Sequence, residues 1–213
     1  MCGLTGFFSI DKKLSEGDLH AMTDCISHRG PDAAGYFISP NQNVGLGHRR
    51  LSIIDLSTAS DQPMVSHSGR YAMIFNGEVY NFKEIAAQLN ITPRTTGDSE
   101  IILEAFEKIG VDCVNLLNGM FAIVIYDKQE DKLFLFRDRL GVKPFYYFSY
   151  QNTFAFASEI KALLKSGFVK ANTPVNKQTV ATFLYAGYIP GPHTIYTNIH
   201  RLPSGSYATI DKN

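Results

Sequence analysis

Two closely spaced pairs of strand-like segments constrain the fold of this chain more than any other feature. Over residues 119–126 bulky apolar side chains alternate with smaller ones, and a strand over 132–137 follows the polar turn at 127–131. Residues 144–149 and 153–157 predict a second pair. Strands joined by such short turns run antiparallel, so the chain is expected to form antiparallel sheets.

Segments with helical periodicity separate these strands. Apolar residues recur at intervals of three and four over 15–26, which predicts a helix with Cys25 on its buried face. A second helical stripe ends at Gly110, and Asp98 or Ser99 is suited to cap its N-terminus. Helices segregated among antiparallel strands favour an α+β fold of two packed sheets flanked by helices over a parallel doubly wound fold.

The remaining elements are short. Residues 81–84 have the pattern of a capping box and open a helix directly after the strand that ends near Phe75. Two further helices are predicted over 159–164 and 177–186. Further strands are predicted over 3–10, 35–38, 44–55, 71–75 and 207–210.

Composition excludes several classes of function. Twenty basic and twenty acidic residues cancel, so no nucleic-acid or membrane-surface partner is indicated and a small-molecule substrate is expected. No apolar run approaches the roughly 18 residues of a membrane helix. Three widely spaced cysteines indicate neither a disulfide framework nor a zinc site and suit a reducing cytoplasm. No glycine motif for nucleotide phosphates occurs.

The second residue is the first candidate for chemistry. Removal of Met1, which is expected before a side chain as small as that of Cys2, would give one residue both a thiol and a free α-amine. That amine titrates at about 7.7–8.0, far below the roughly 10.4 of lysine. A base close to working pH beside a nucleophile suits covalent acyl transfer. On position alone, an N-terminal cysteine without a role remains the alternative.

Two other short patterns are ambiguous on their own. Asn76-Gly77 follows a convincing strand and precedes a helix, which predicts a strand-to-helix turn with exposed N–H groups suited to an oxyanion. An ordinary tight turn is the alternative. Arg49-Arg50 enters a β-branched segment, and for either residue taken alone surface charge is the simpler interpretation.

Seven motifs together carry a more specific indication. They are Cys2-Gly3, HRGPD at 28–32, RLSIID at 50–55, NGEVYN at 76–81, TGDSE at 96–100, GMFA at 119–122 and RDRLGVKP at 137–144. In this order they resemble the class II glutamine amidotransferase domain, most closely the N-terminal half of glutamine-hydrolysing asparagine synthetases. The resemblance implies a four-layer αββα N-terminal-nucleophile hydrolase fold, with two antiparallel sheets between helical layers.

The resemblance also implies roles for individual residues. Cys2 would attack the side-chain amide of L-glutamine with its own α-amine as base, while the Asn76 amide and the Gly77 N–H form the oxyanion hole. Arg50 would bind the α-carboxylate of glutamine. Glu78 and Asp98 would surround its α-amino group, and Ile53 would complete the substrate site. The motifs at 28–32 and 137–144 are expected to be framework rather than to contact substrate.

Domain organisation and partners follow from the same resemblance. Residues 1–213 correspond to the glutaminase domain, and the S-G-G-x-D-S motif of an ATP-pyrophosphatase domain is absent from them. ATP and Mg²⁺ are therefore expected only in a separate C-terminal synthetase domain, with no cofactor or metal in this one. That domain is the expected partner, and a homodimer stays open. The alternatives are a related N-terminal-nucleophile amide hydrolase and an inactive docking module.

Overall fold

A computed structural model describes residues 1–212 and shows a chain built from eleven strands and seven α-helices in that range. The strands are β1 Gly3–Ser9, β2 Ala33–Ile38, β3 Val44–Arg50, β4 Met64–Val65, β5 Tyr71–Val79, β6 Gly119–Asp127, β7 Lys132–Arg137, β8 Tyr146–Tyr150, β9 Thr153–Ala157, β10 Ile199–Arg201 and β11 Tyr207–Ile210. The helices are α1 Glu16–Asp24, α2 Phe82–Gln88, α3 Asp98–Ile109, α4 Cys113–Leu116, α5 Ile160–Leu163, α6 Gly167–Ala171 and α7 Lys177–Ala186.

These strands form two sheets in which every neighbouring pair is antiparallel. One has the order β10-β8-β9-β1-β3-β2 and the other β11-β7-β6-β5-β4. Side chains from both sheets, including Leu4, Leu46, Ile74 and Val124, form a buried core between them. Two further cores lie on the outer faces, one beneath α3 and one beneath α1 and α5. The result is the predicted four-layer α+β arrangement.

The elements with the clearest pattern were predicted to the residue. The strands at 132–137, 153–157 and 207–210 and the helix at 177–186 have the observed bounds. The strand predicted over 44–55 is wrong beyond Arg50, where β3 ends. Arg49 and Arg50 pair with the first residues of β1 and β2, so residues after them have no neighbouring strand to continue the ladder.

Two predicted helix caps are also wrong, although α2 begins directly after Asn81 as predicted. The amide of Asn81 does not cap α2, because it donates to the carbonyl of Leu116 (2.9 Å) while its oxygen accepts from the N–H of Asn118 (2.9 Å). Gly97, rather than Asp98 or Ser99, is the N-cap of α3. A third departure concerns α1, which ends one residue before Cys25, so that this thiol is only half-buried.

No helix within residues 1–212 is both long enough and apolar enough to cross a membrane.

A buried carboxylate fixes the loop that leads into α3. Glu100 accepts hydrogen bonds from the ring of His67 (2.6 Å) and from the backbone N–H groups of Arg94 (2.8 Å) and Thr95 (2.7 Å). Burial raises the pKa of Glu100, but these hydrogen bonds outweigh it and lower the pKa to about 2. Its negative charge therefore stabilises the fold.

We expect Glu100→Gln to lower the free energy of unfolding by on the order of 2 kcal/mol at pH 7. Because the folded pKa lies below the ordinary 4.5, this stabilisation is complete above about pH 4.5 and is lost as the pH falls towards about 2. Urea unfolding at pH 7 and pH 3 should show the difference between variant and parent shrinking in acid. Glu104→Gln is the control, because burial raises the pKa of Glu104; equal losses at pH 7 would contradict the assignment.

Candidate functional site

Cys2 lies immediately before β1 and is held on both its backbone and its thiol. The Nε of Arg29 donates to the Cys2 carbonyl (3.0 Å). The N–H of Leu51, the first residue after β3, lies 3.4 Å from the Cys2 sulfur, and the thiol lies 3.6 Å from the Leu51 carbonyl. The sulfur is therefore fixed at the end of a central strand by two contacts to the backbone of Leu51.

The motif at 28–32 supplies the support for Cys2. Glu159 accepts from Arg29 (3.1 Å) and from the ring of His28 (2.9 Å), and these bonds outweigh burial to lower the pKa of Glu159. A Cβ at Gly30 would lie 2.4 Å from the Arg49 carbonyl, so only glycine lets this turn pack against β3. The carboxylate of Asp32 accepts from the N–H of Ser52 (2.8 Å). None of residues 28–32 is among the residues that line the cleft containing Cys2.

Asn76 and Gly77 are not in a turn, and the predicted strand-to-helix turn at this position is wrong. β5 continues to Val79 and pairs with β6 throughout, which overrides the local turn propensity of Asn-Gly. A Cβ at Gly77 would lie 2.2 Å from the Met120 carbonyl oxygen, so close approach of β6 explains the glycine. The exposed donors arise from the sheet edge instead.

On the side of β5 away from β6, the short strand β4 pairs only with Met73 and Ala72. The rest of that edge of β5 has no neighbouring strand in the described part of the chain. The N–H of Phe75 donates away from β6, to the side chain of Gln62 (2.6 Å), and the N–H of Val79 does the same to Asp98 (2.9 Å). Alternate residues of a strand direct their N–H groups to the same side. The N–H of Gly77, between these two, therefore also faces away from β6.

The side-chain amide of Asn76 is a second donor, next to the N–H of Gly77. Asn76 is 1% exposed, and its Nδ2 is buried without a hydrogen-bond partner among the described residues. Asn76, Gly77 and Cys2 line one cleft. An unpaired buried amide is unfavourable, whereas the oxyanion that forms when a thiol adds to a carbonyl group could accept its hydrogen bond.

Arg50 also lines the cleft and is 8% exposed. Its guanidinium donates to the Ser57 carbonyl (2.7 Å), to the carboxylate of Asp61 (2.6 Å) and to the Asp55 carbonyl. It therefore anchors the loop over residues 51–61. Ile53 lies in this loop and lines the cleft with 67% of its surface exposed, so it is placed at the mouth.

Three carboxylates line the same cleft, those of Asp55, Glu78 and Asp98. Asp98, at the first position of α3, is buried, and burial together with the nearby charge of Glu78 raises its pKa despite the hydrogen bond from Val79. With Arg50 they give one small cleft both signs of charge. Such a lining is complementary to a zwitterion, whose carboxylate and ammonium would each meet the opposite charge.

One cleft residue was missed from the sequence. Lys143 was expected to be framework, but it is 4% exposed and lines the cleft with Cys2, and its Nζ lies 3.5 Å from the Met1 sulfur. A lysine in a polar loop carries no sequence signal of burial. The prediction for the rest of the motif agrees with the structure, since Asp138 and Arg137 bind backbone groups of the same loop.

No group of three or more histidine, cysteine or acidic side chains within residues 1–212 could hold a metal ion.

Comparison with known proteins agrees with this geometry. A family model described as a glutamine amidotransferase domain matches residues 1–213. A putative glutamine-hydrolysing asparagine synthetase 2 of Methanocaldococcus jannaschii is 38% identical over 227 residues, covering 99% of this chain and 44% of the relative. Glutamine-hydrolysing asparagine synthetase 2 of Bacillus subtilis is 37% identical over 223 residues, covering 99% and 29%. The chain thus spans less than half the length of these relatives.

Solved structures show the same fold at low identity. The glutamine phosphoribosylpyrophosphate amidotransferase of B. subtilis superposes with a TM-score of 0.66 at 17% identity, over 78% of this chain and 44% of that one. An allosteric regulatory enzyme of purine biosynthesis gives 0.71 at 16% identity, over 99% and 47%. These likenesses confirm the predicted αββα N-terminal-nucleophile fold.

Proposed function

The chain belongs to the glutamine amidotransferase domain family, and from that premise we propose that it hydrolyses L-glutamine to glutamate and ammonia at Cys2. The observation that carries the proposal is the unpartnered buried amide of Asn76 in the cleft that also holds the Cys2 thiol. A thiol beside unused donors is the arrangement required for acyl transfer through an oxyanion.

The proposed reaction begins once Met1 has been removed. The freed α-amine of Cys2 takes the thiol proton, and the sulfur adds to the carboxamide carbon of glutamine. The Asn76 amide and the Gly77 N–H bind the resulting oxyanion. Its collapse breaks the C–N bond, and the amine returns the proton to the leaving ammonia. Water then hydrolyses the thioester, which releases glutamate and restores the thiol.

Specificity for a free amino acid would come from the charges of the cleft. Arg50 binds the α-carboxylate, and Glu78 and Asp98 bind the α-ammonium. Ile53, at the mouth, covers the bound substrate with the anchored loop. A site of this kind should reject N-acylated glutamine, because acylation removes the positive charge that the two carboxylates would bind.

We propose that the ammonia serves an asparagine-synthetase-type domain. The support is that the relatives named as glutamine-hydrolysing asparagine synthetases extend well beyond the matched region. ATP and Mg²⁺ would belong to that synthetase domain, with no cofactor in residues 1–213. Pairing as a homodimer stays a prediction.

The decisive experiment measures glutamate release from L-glutamine by the purified chain, with the intact mass of the same sample. Turnover by the Met1-free species is the expected result. No turnover by Met1-free protein, alone or with a synthetase domain of a relative supplied, would contradict the proposal and favour an inactive docking module. Efficient turnover of N-acylated glutamine would instead favour a related amide hydrolase.

We expect Arg50→Lys to raise KM for glutamine about 10-fold while kcat falls less than about 3-fold. An ammonium cannot reproduce the planar, bidentate hold of a guanidinium on a carboxylate, and a loss in KM alone indicates uniform binding. Steady-state kinetics test this. Arg49→Lys is the matched control, because Arg49 points to Asp24 and the Thr23 carbonyl; an unchanged KM in Arg50→Lys would remove Arg50 from the binding role.

A further inference from the structure

Lys143 is held in the cleft by its own backbone. Its N–H donates to the Asp138 carboxylate (2.9 Å), and its carbonyl accepts from the Nε of Arg137 (2.9 Å). Both backbone groups of Lys143 are thus fixed beside the cleft, and the residue is 4% exposed.

The ammonium of Lys143 lacks the partner that a buried cation normally has. It forms no ion pair with a carboxylate among the described residues, and the contact at its Nζ is the Met1 thioether (3.5 Å), a weak acceptor. The nearest acid in sequence, Asp138, already accepts N–H groups on both oxygens. A buried charge without a paired carboxylate is unfavourable for folding, which points to a use in the reaction.

The position of the charge indicates what it acts on. One peptide bond joins Met1 to Cys2, so the ammonium lies within roughly 10 Å of the Cys2 nitrogen. Removal of Met1 would take away the thioether and leave the ammonium facing the space beside the new α-amine. Lys143 and Cys2 line the same cleft, and partly buried charges interact more strongly than charges in bulk solvent.

We propose that Lys143 is a positioning residue that acts through Cys2: its positive charge lowers the proton affinity of the Cys2 thiol and, after removal of Met1, of the Cys2 α-amine. This inference rests on the proposed glutaminase function. A neutral amine can accept the thiol proton, and a thiolate is the attacking form. Lys143 would thus keep the pair ready at neutral pH.

The other cations near Cys2 are paired with acids. The charged groups that face it from the surrounding elements are Arg29, Glu159, Arg50, Asp55, Asp61, Glu78, Asp98 and Lys143. Arg29 pairs with Glu159 and Arg50 with Asp61. Lys143 is the cation of this set that has no ion pair within residues 1–212, whereas the carboxylates of Asp55, Glu78 and Asp98 act on Cys2 in the opposite sense.

The test compares Lys143→Met with Lys143→Arg and uses exposed Lys170→Gln as a control for loss of a surface charge. Alkylation of Cys2 by iodoacetamide is followed against pH by mass spectrometry on Met1-free protein, with half-buried Cys25 as internal reference. We expect Lys143→Met to raise the midpoint for Cys2 by about 1 pH unit. Lys143→Arg should retain the parental midpoint, and the acid limb of kcat/KM for glutamine should move in parallel.

Two results would overturn the proposal. One is an unchanged Cys2 midpoint in Lys143→Met, and the other is an equal shift in Lys143→Met and Lys143→Arg, which would indicate a structural role. Lys143→Gln serves as a second neutral variant if Lys143→Met does not fold. Alkylation needs no turnover, so absence of glutaminase activity in every protein would refute the proposed function while the midpoints still decide the role of Lys143.

Discussion

Cys2→Ala should reduce glutamate release from glutamine by at least about 10⁴-fold, because the variant has no thiol in the cleft to form the covalent intermediate. Cys2 is the cysteine that lines the cleft with Asn76 and Gly77. The hydrogen-bond contacts recorded for its sulfur are weak ones to the backbone of Leu51, so its loss should leave the free energy of unfolding nearly unchanged. Glutamate release and urea unfolding of the same preparations would separate loss of chemistry from loss of fold.

The other two cysteines provide matched controls. Cys113 is buried in the core beneath α3, and burial raises its pKa to about 12, so it is a poor nucleophile at neutral pH. Cys25 contacts the Lys161 carbonyl, away from the cleft. Cys25→Ala and Cys113→Ala should both retain nearly full turnover per folded molecule. Equal losses in all three variants would exclude Cys2 as the specific nucleophile.

Much of the fold could be predicted because its determinants are local. The alternation of side chains over 119–126 and over 132–137 is visible without knowing which strands pair with these segments, and the two strands are joined by a short turn. β4, β10 and the short helices α4 and α6 were missed, since two to five residues carry too little periodicity. The end of β3 at Arg50 depends on where β1 and β2 end, which is information from distant parts of the chain.

The candidate site likewise has features that could be predicted from the sequence and features that could not. Resemblance identified seven residues with predicted roles, and the structure places all of them around one cleft: Cys2, Arg50, Ile53, Asn76, Gly77, Glu78 and Asp98. Local propensity gave the wrong setting for Asn76-Gly77, because pairing with β6 outweighs the preference of Asn-Gly for a turn. Lys143 could not be found by either route: its burial depends on Asp138 and Arg137 holding the loop, and no pattern in a polar segment reveals that.

Asn76→Ala should lower kcat for glutamine about 10²–10³-fold with little change in KM, since the amide donates to charge that develops after binding. The stability of this variant should behave unusually. The Nδ2 of Asn76 is buried without a partner, and an unsatisfied buried donor destabilises by about 1–3 kcal/mol. Its removal offsets the small cavity that alanine leaves, so the free energy of unfolding should change by less than about 1 kcal/mol.

Asn81→Ala is the opposite case and serves as the control. The amide of Asn81 makes two hydrogen bonds to the loop before β6, at Leu116 and Asn118, so its loss should destabilise the fold while kcat stays within about 3-fold. Stopped glutaminase assays and urea unfolding of both variants make a two-by-two comparison. If Asn76→Ala lost stability and retained kcat, the buried amide would be structural, and the oxyanion would have to be bound by backbone N–H groups alone.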